Sequence, residues 1–245
     1  MKIAILIPAR LGSTRFPNKP LADIKGKTMI ERVCLQAKQT NHELIYVACS
    51  ELETKNIVEK SGFRAVMTDP NLPSGTDRIY QALLEIEKEQ EVDVIVNLQG
   101  DLPDIKPEVI SKTVNALINN KGFDIATAVV EIKEKHQEDD PNVVKAVVNF
   151  SNEAEFAEAH YFSRAKVPYN APKFYEHIGI YAYHRDAIEK FVNLAESNLE
   201  KAEKLEQLRA IDNGMKIIAT LVPHEQKPIS IDTKEDLELL LRKIS

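Results

Sequence analysis

The sequence predicts an α/β fold: a mainly parallel central sheet flanked by helices, with a smaller antiparallel addition in the second half. Three observations predict it. Apolar runs at 3–7, 44–48, 64–67 and 92–98 alternate with stretches of helical spacing, and repeated βα units of that length call for parallel strands joined by crossover helices. The first run is continuous rather than alternating, the pattern of a strand buried on both faces. After residue 125 strand-like runs follow one another with few helices between them, as in an antiparallel meander.

The elements follow in order. Met29, Ile30, Val33, Cys34 and Ala37 keep helical spacing ahead of the strand at 44–48. A short helix over 52–60 ends at Gly62, a C-terminal cap, and 64–67 is the third strand. Ile79, Ala82, Leu83 and Ile86 stand at i, i+3, i+4 and i+7, which makes an amphipathic helix. The run at 92–98 is the fourth strand, and Pro107 suits the first turn of the helix carrying Ile110, Val114, Leu117 and Ile118. Strands are expected at 125–132, 143–148, 158–162 and 177–183, with a charged, exposed loop over 131–141. Ile188, Phe191, Val192 and Ala195 return to helical spacing, a second helix over 199–213 stops at Gly214, and a strand follows at 216–222. The closing helix starts near Thr233, where Asp236 completes a capping box with Asp in place of Glu. With no repeat, low-complexity tract or linker, residues 1–245 read as a single domain, its core at about 1–130 and 214–245 and an inserted region at about 131–213.

Composition narrows the function. The chain is 43% hydrophobic and 29% charged, ordinary for a globular protein and ample for a core. A formal net charge of −6 leaves no overall basic field to gather nucleic acid. Cys34 falls in a helical pattern and Cys49 at a strand end, which suits two buried thiols in a reducing compartment better than a disulfide. No signal peptide opens the chain, and no apolar run approaches the ~20 residues that cross a bilayer. A cytoplasmic protein without a membrane partner is expected.

The chemistry concentrates at strand ends. The first strand stops at Pro8 and opens into a loop carrying Arg10, Gly12, Ser13, Arg15 and Lys19. Cations just beyond a carboxyl-terminal strand end, in an acidic protein, suit a small ligand with several negative charges. No G-x-x-x-x-G-K-[ST] and no G-x-G-x-x-G occurs, so cationic side chains take over much of what backbone amides do in those loops. The fourth strand delivers Gln99, Gly100 and Asp101 to the same rim, where a carboxylate can hold a hard cation, or else simply make a turn. Asp232 precedes the last helix; Asp is a natural N-cap there, but Thr233 caps equally well and leaves Asp232 for a second metal ligand. Ser74-Gly75-Thr76-Asp77-Arg78 heads the amphipathic helix as an anion- or base-binding turn that also caps it. Arg164 offers a fork for a carboxylate after an aromatic strand end, and His177 opens another strand. Glu206 and Gln207 stand between apolar helical positions, either on a solvated face or for hydroxyl recognition.

These stretches, together with Pro141-Asn142-Val143-Val144-Lys145, His177-Ile178-Gly179-Ile180-Tyr181 and Leu205 to Arg209, occur in one order that closely resembles the 3-deoxy-manno-octulosonate (Kdo) cytidylyltransferases, the CMP-Kdo synthetases of lipopolysaccharide biosynthesis. The resemblance spans nearly the whole chain. It implies a Rossmann-like nucleotidyltransferase fold, a homodimer, and transfer of CMP from CTP to Kdo with release of pyrophosphate and a requirement for Mg²⁺. It implies that Arg10, Ser13, Arg15 and Lys19 hold the triphosphate, that Ser74, Arg78 and Gln99 surround the nucleotide, and that Asp101 and Asp232 bind the metal. Arg10, Lys19, Asp101 and Asp232 would then be catalytic, and Arg164, His177, Glu206 and Gln207 would face the sugar acid, the inserted region serving sugar binding and dimerisation. Where the family often has Gly-Asp-Glu-Pro, this chain has Gly100-Asp101-Leu102-Pro103, so Asp101 alone carries the metal assignment there. The segment between Tyr169 and His177 is shorter than in many members. Competing readings are activation of a related sugar acid, such as sialic acid or 8-amino-Kdo, and a nucleotide-binding protein of the same fold without turnover.

Overall fold

The computed structural model describes residues 1–12, 16–151 and 154–244. Ser13 and Arg15, assigned above to the triphosphate, therefore lie outside the described residues. The chain divides into two compact units, one made of 1–110 with 228–245 and the other of 111–227.

In the first unit, β1 (Ile3–Ala9), β2 (Leu44–Cys49), β3 (Arg64–Met67) and β4 (Val94–Leu98) lie parallel in the order β3-β2-β1-β4. Every residue of β4 and all but two of β1 are buried from solvent or nearly so, which is why both strands read as unbroken apolar runs. The crossovers are α1 (Met29–Lys38), α2 (Leu52–Lys60) and α3 (Gly75–Ile86); α1 and α2 pack on the strands they join, and α3 packs on β1, β2 and β3. α1 carries a full capping box between Thr28 and Glu31 and buries the five apolar residues that the spacing picks out. α4 (Pro107–Asn119) starts at the expected proline. The last helix, α9 (Lys234–Lys243), has Thr233 as its N-cap and Asp236 reaching back to it, so the capping box is formed with Asp. Cys34 and Cys49 are buried free thiols.

In the second unit, β5 (Ile125–Glu131) pairs parallel with β9 (Ile217–Val222) and antiparallel with β8 (Tyr175–His184). β7 (Phe156–Ser163) runs antiparallel to β9. β6 (Lys145–Val148) is antiparallel to β7 and, through Lys145 and Ala146, to β8 as well. The five strands thus close on themselves, with only the Lys145–Ala146 end of β6 paired on both sides. The antiparallel expectation for this half holds, while contacts place the unit boundaries at 110 and 228 where the sequence suggests about 130 and 214. The reason is that β5 and β9 pair with the strands between them in sequence.

Three elements differ from the sequence reading. The 131–141 stretch contains a one-turn helix, α5 (Lys135–Asp139). α6 (Arg185–Val192) is as expected, but the single helix expected over 199–213 is two, α7 (Asn198–Glu203) and α8 (Leu208–Asp212). Lys204 ends α7 in the left-handed conformation at φ 55°, and the Arg164 guanidinium binds the carbonyls of Glu203 and Lys204. A side chain from just beyond β7 captures carbonyls that a continuous helix would have used itself.

Candidate active site

The rim of the parallel sheet carries a cleft of about 390 Å³ lined by Pro8, Arg10, Lys19, Ser74, Arg78, Gln99, Asp101 and Asp232, among others. All these residues belong to the first unit. It is the rim where ligands of open α/β sheets bind, and all seven described residues assigned to the nucleotide or metal line it.

At one end, the Lys19 ammonium lies 3.0 Å from Asp101 Oδ2 and 3.2 Å from Asp232 Oδ1. Two carboxylates 131 residues apart in sequence thus converge on one point. Burial pushes the Asp101 carboxyl above its ordinary range, Lys19 pulls it back, and Asp232 pushes it up again. Paired carboxylates held this way favour a cation between them. The donor set fits a hard divalent ion that takes oxygen ligands from two carboxylates and completes its shell with phosphate oxygens and water. Among the described residues no group of three or more His, Cys, Asp or Glu is placed to hold a metal ion.

Local structure places each of these groups. The loop after β1 is closed by the Asn18 N–H on the Leu11 carbonyl at 3.2 Å, with Asn18 itself in the left-handed region. Phe16 from that loop packs in one core cluster with Ile24, Met29, Ile231 and Leu240. This cluster joins the loop bearing Lys19 to the segment bearing Asp232. The Ile231 N–H donates to the Asp101 carbonyl at 3.0 Å, so the same segment is also stitched to the end of β4. Because Thr233 caps α9, Asp232 is not consumed as the cap.

The other end of the cleft is cationic. Arg78 is 2% exposed, donates from Nη1 to Thr68 Oγ1 at 2.6 Å, and has Nη2 buried with no hydrogen-bond partner among the described residues. Burial lowers its pKa, and the charge of Arg10 lowers it further. A buried donor left over beside a second cation is a site that asks for an acceptor or an anion. Ser74 is the N-cap of α3, accepting from the Asp77 N–H at 3.1 Å, so it does the structural task and sits in the cleft as well. Gln99 donates its amide to Asn97 Oδ1 at 3.0 Å, which sets its orientation.

Sequence reasoning missed Glu51. Its Oε1 accepts from the Leu11 N–H at 3.2 Å and the Ser50 hydroxyl at 2.8 Å, bracing the backbone of the loop after β1, and its charge supports the ionised form of Arg78. The available signal was its place two residues beyond β2, on the same rim.

The residues assigned to the sugar acid all lie in the second unit. A break in the β5–β8 register between Thr127 and Ala128 brings Thr127 Oγ1 to 2.9 Å from His177 Nε2 and 2.8 Å from the Ile180 carbonyl. A hydroxyl has one proton to give. With that proton on Ile180 O, it accepts from Nε2–H, and Nδ1 of His177 is left as an acceptor. His177 is boxed by Phe162 and Tyr181 at 4.9 and 5.4 Å between ring centres. Burial raises the Tyr181 pKa, and the nearby Glu206 raises it further, so Glu206 belongs to the same cluster. Gln207 is 6% exposed, its Nε2 buried with no hydrogen-bond partner among the described residues, which rules out a solvated face there. Arg209 is an anchor: it makes a two-pronged pair with Glu200 at 2.9 and 2.6 Å and lies 5.1 Å over the Phe191 ring. Arg164 stands apart from the others' chemistry, since Nε, Nη1 and Nη2 each donate to backbone carbonyls, leaving two of its five N–H directions.

Burial holds His177 neutral, pushing its pKa down to about 3, below the unfolded value of about 6.5. The unfolded chain therefore takes up this proton more readily. Stability is full above about pH 6.5 and falls as the pH drops below it, by up to about 1.4 kcal/mol per unit. Melting curves from pH 7 to 5 should show that loss, and His177→Gln should flatten it; an unchanged slope in the variant would show that His177 is not its source.

Residues 4–217 match the cytidylyltransferase family. The 3-deoxy-manno-octulosonate cytidylyltransferase of Paramagnetospirillum magneticum is 48% identical over 96% of this chain and 94% of its own length. That of Rickettsia bellii is 45% identical over 96% of this chain and 93% of its own. A solved structure of CMP:2-keto-3-deoxy-manno-octonic acid synthetase complexed with CTP superposes with a TM-score of 0.89 at 35% identity, covering all of this chain and 98% of that one. The α/β nucleotidyltransferase fold, the converging aspartates and these full-length similarities lead to one conclusion: the chain belongs to the cytidylyltransferases, within the family of 3-deoxy-manno-octulosonate cytidylyltransferases.

Proposed function

We propose that this protein transfers CMP from CTP to Kdo and releases pyrophosphate, with Mg²⁺ as its metal. The observation that carries this reading is the meeting of Asp101, Asp232 and Lys19 at one end of a cleft whose other end is the buried Arg78. Carboxylates for a metal and cations for phosphates, held in one cleft, suit a metal–nucleoside triphosphate.

In the reaction an anomeric hydroxyl oxygen of the sugar acid attacks the α-phosphorus of CTP in line. The new O–P bond forms as the bond from Pα to the bridging oxygen breaks, and pyrophosphate leaves with that oxygen. The hydroxyl proton passes to solvent, since no side chain stands out as a general base. The protein's task is alignment and charge. Arg10 and Lys19 neutralise the triphosphate and the charge growing on pyrophosphate. Arg78, Ser74 and Gln99 hold the nucleoside end. In the second unit, the neutral His177, Glu206 and the buried Gln207 amide meet sugar hydroxyls, and Arg164 takes the carboxylate with its two remaining N–H groups. Asp101 and Asp232 would hold the Mg²⁺, which would supply positive charge against the phosphates and a lowered pKa for a coordinated hydroxyl.

Pyrophosphate release measured with CTP and a panel of Kdo, 8-amino-Kdo and sialic acid tests the reading. Kdo should be preferred, and activity should vanish with a chelator and return with excess Mg²⁺. Preference for another sugar acid would reassign the substrate, and CTP binding with no release for any of them would leave a nucleotide-binding protein. We also place the enzyme in the cytoplasm as a homodimer. Two buried free thiols suit a reducing compartment, and among the described residues no helix is long and apolar enough to cross a membrane.

A further inference from the structure

Lys145 is used by none of the chemistry above, yet it is 0% exposed. Its ammonium has three protons and spends all of them on backbone carbonyls: Asp140 at 2.8 Å, Val143 at 2.6 Å and Arg164 at 2.7 Å. It stands where β6 pairs with both of its neighbours, opposite Ser163 on β7 and Glu176 on β8. A buried ammonium is a costly way to tie off three carbonyls, because removing the charge from water is unfavourable even when hydrogen bonds replace the hydration.

The arrangement around it is specific. Lys145 binds the carbonyls of residues 140 and 143, and the Arg164 guanidinium binds the carbonyl of Pro141 between them at 3.0 Å. Lys145 also holds the carbonyl of Arg164 itself. Two cations thus interleave on one short loop, and one of them grips the backbone of the other. Arg164 continues to the carbonyl of Glu203 at 2.8 Å, just ahead of Glu206 and Gln207, while Glu203 receives the Ser163 hydroxyl and the Arg164 N–H at 2.7 and 2.9 Å.

We propose that Lys145 is a positioning residue for recognition of the sugar acid's carboxylate: by fixing the 140–143 loop and the Arg164 backbone, it sets where the two remaining N–H groups of the Arg164 guanidinium stand. This rests on the functional reading above. The adjacent positive charges support it independently. Burial lowers the Lys145 pKa, and Arg164 adds to that, against the pull of Asp140, Asp139 and Glu176. An anion bound at Arg164 relieves this repulsion, which gives the pair a reason to sit so close.

Steady-state kinetics with Lys145→Arg and Lys145→Met, each also made in an Arg164→Met background, test the proposal alongside calorimetric CTP binding and thermal melting. Arginine keeps the charge, but its planar fork cannot aim three protons from one atom at three carbonyls. Lys145→Arg should raise the KM for Kdo by about ten- to a hundredfold and leave the KM and affinity for CTP unchanged, and Lys145→Met should do more. In the Arg164→Met background neither should raise the KM for Kdo further. Equal shifts for Kdo and CTP, or effects that still add when Arg164 is gone, overturn it. Loss of folding in both variants also overturns it, because the lysine then serves the fold and not the guanidinium. A wild-type enzyme that releases no pyrophosphate with Kdo sinks the functional reading instead.

Discussion

Asp101→Asn should lower kcat/KM for CMP transfer by at least about a thousandfold while leaving a folded protein. Among the described residues the Asp101 carboxylate accepts from the Lys19 ammonium at 3.0 Å. An amide keeps its shape and can still accept from that ammonium, so packing is undisturbed. What is lost is charge at the point where Asp101 and Asp232 converge. Losing one preorganised electrostatic group of this kind costs about 10² to 10³ in rate, and losing a metal ligand removes the ion's contribution as well. Because burial already raises the Asp101 pKa, neutralising it removes a strained charge, and the melting temperature should not fall. Pyrophosphate release, Mn²⁺ binding followed by electron paramagnetic resonance in the presence of CTP, and a melting curve together separate these outcomes. Normal turnover in the variant would take Asp101 out of the metal site.

Gly100→Ala should damage both stability and turnover through one contact. A Cβ at this position would lie 2.8 Å from the Pro8 carbonyl oxygen, with Ile30 Cδ1 at 3.6 Å and Ile7 Cγ2 at 3.8 Å behind it. The obstructing atom is backbone at the end of β1, where Pro8 pairs with Ala48 of β2. It cannot swing away as a side-chain tip would. Forcing a methyl into such a place costs about 1–3 kcal/mol, and relief comes by moving the chain that carries Asp101. A displacement near 1 Å at a reacting centre costs about a hundredfold in rate. The same substitution at Gly12 meets nothing within 4 Å and should leave the melting temperature unchanged. A Gly100→Ala enzyme as stable and active as the wild type would mean that the rim tolerates a shift we take to be forbidden.

Much of the fold could be read from local pattern. β1, β2, β3 and β4 follow from apolar runs, and α1 and α3 from helical spacing with Thr28 and Ser74 as caps, because burial and capping act within one turn or one strand. The helix expected over 199–213 was misread for the opposite reason. Its residues have adequate helical spacing, but Arg164 captures the carbonyls at 203 and 204, and nothing local announces a side chain arriving from 40 residues away. Glu51 and Thr127 escaped notice in the same way. Each is a polar residue whose role comes from partners distant in sequence, Leu11 and Arg78 for the first and His177 and Ile180 for the second.

By itself the sequence determined the class of chemistry: cations after one strand, a carboxylate after another and a second carboxylate before the last helix, in the order shared with a single enzyme family. Only the tertiary structure decided that Asp101 and Asp232 meet at Lys19. Residues so far apart are brought together by burial of Phe16 and Ile231 in one apolar cluster and by the hydrogen bond from Ile231 to Asp101. Such contacts form because apolar surface leaves water collectively, and that depends on which faces find each other in space, a property no short stretch of residues carries.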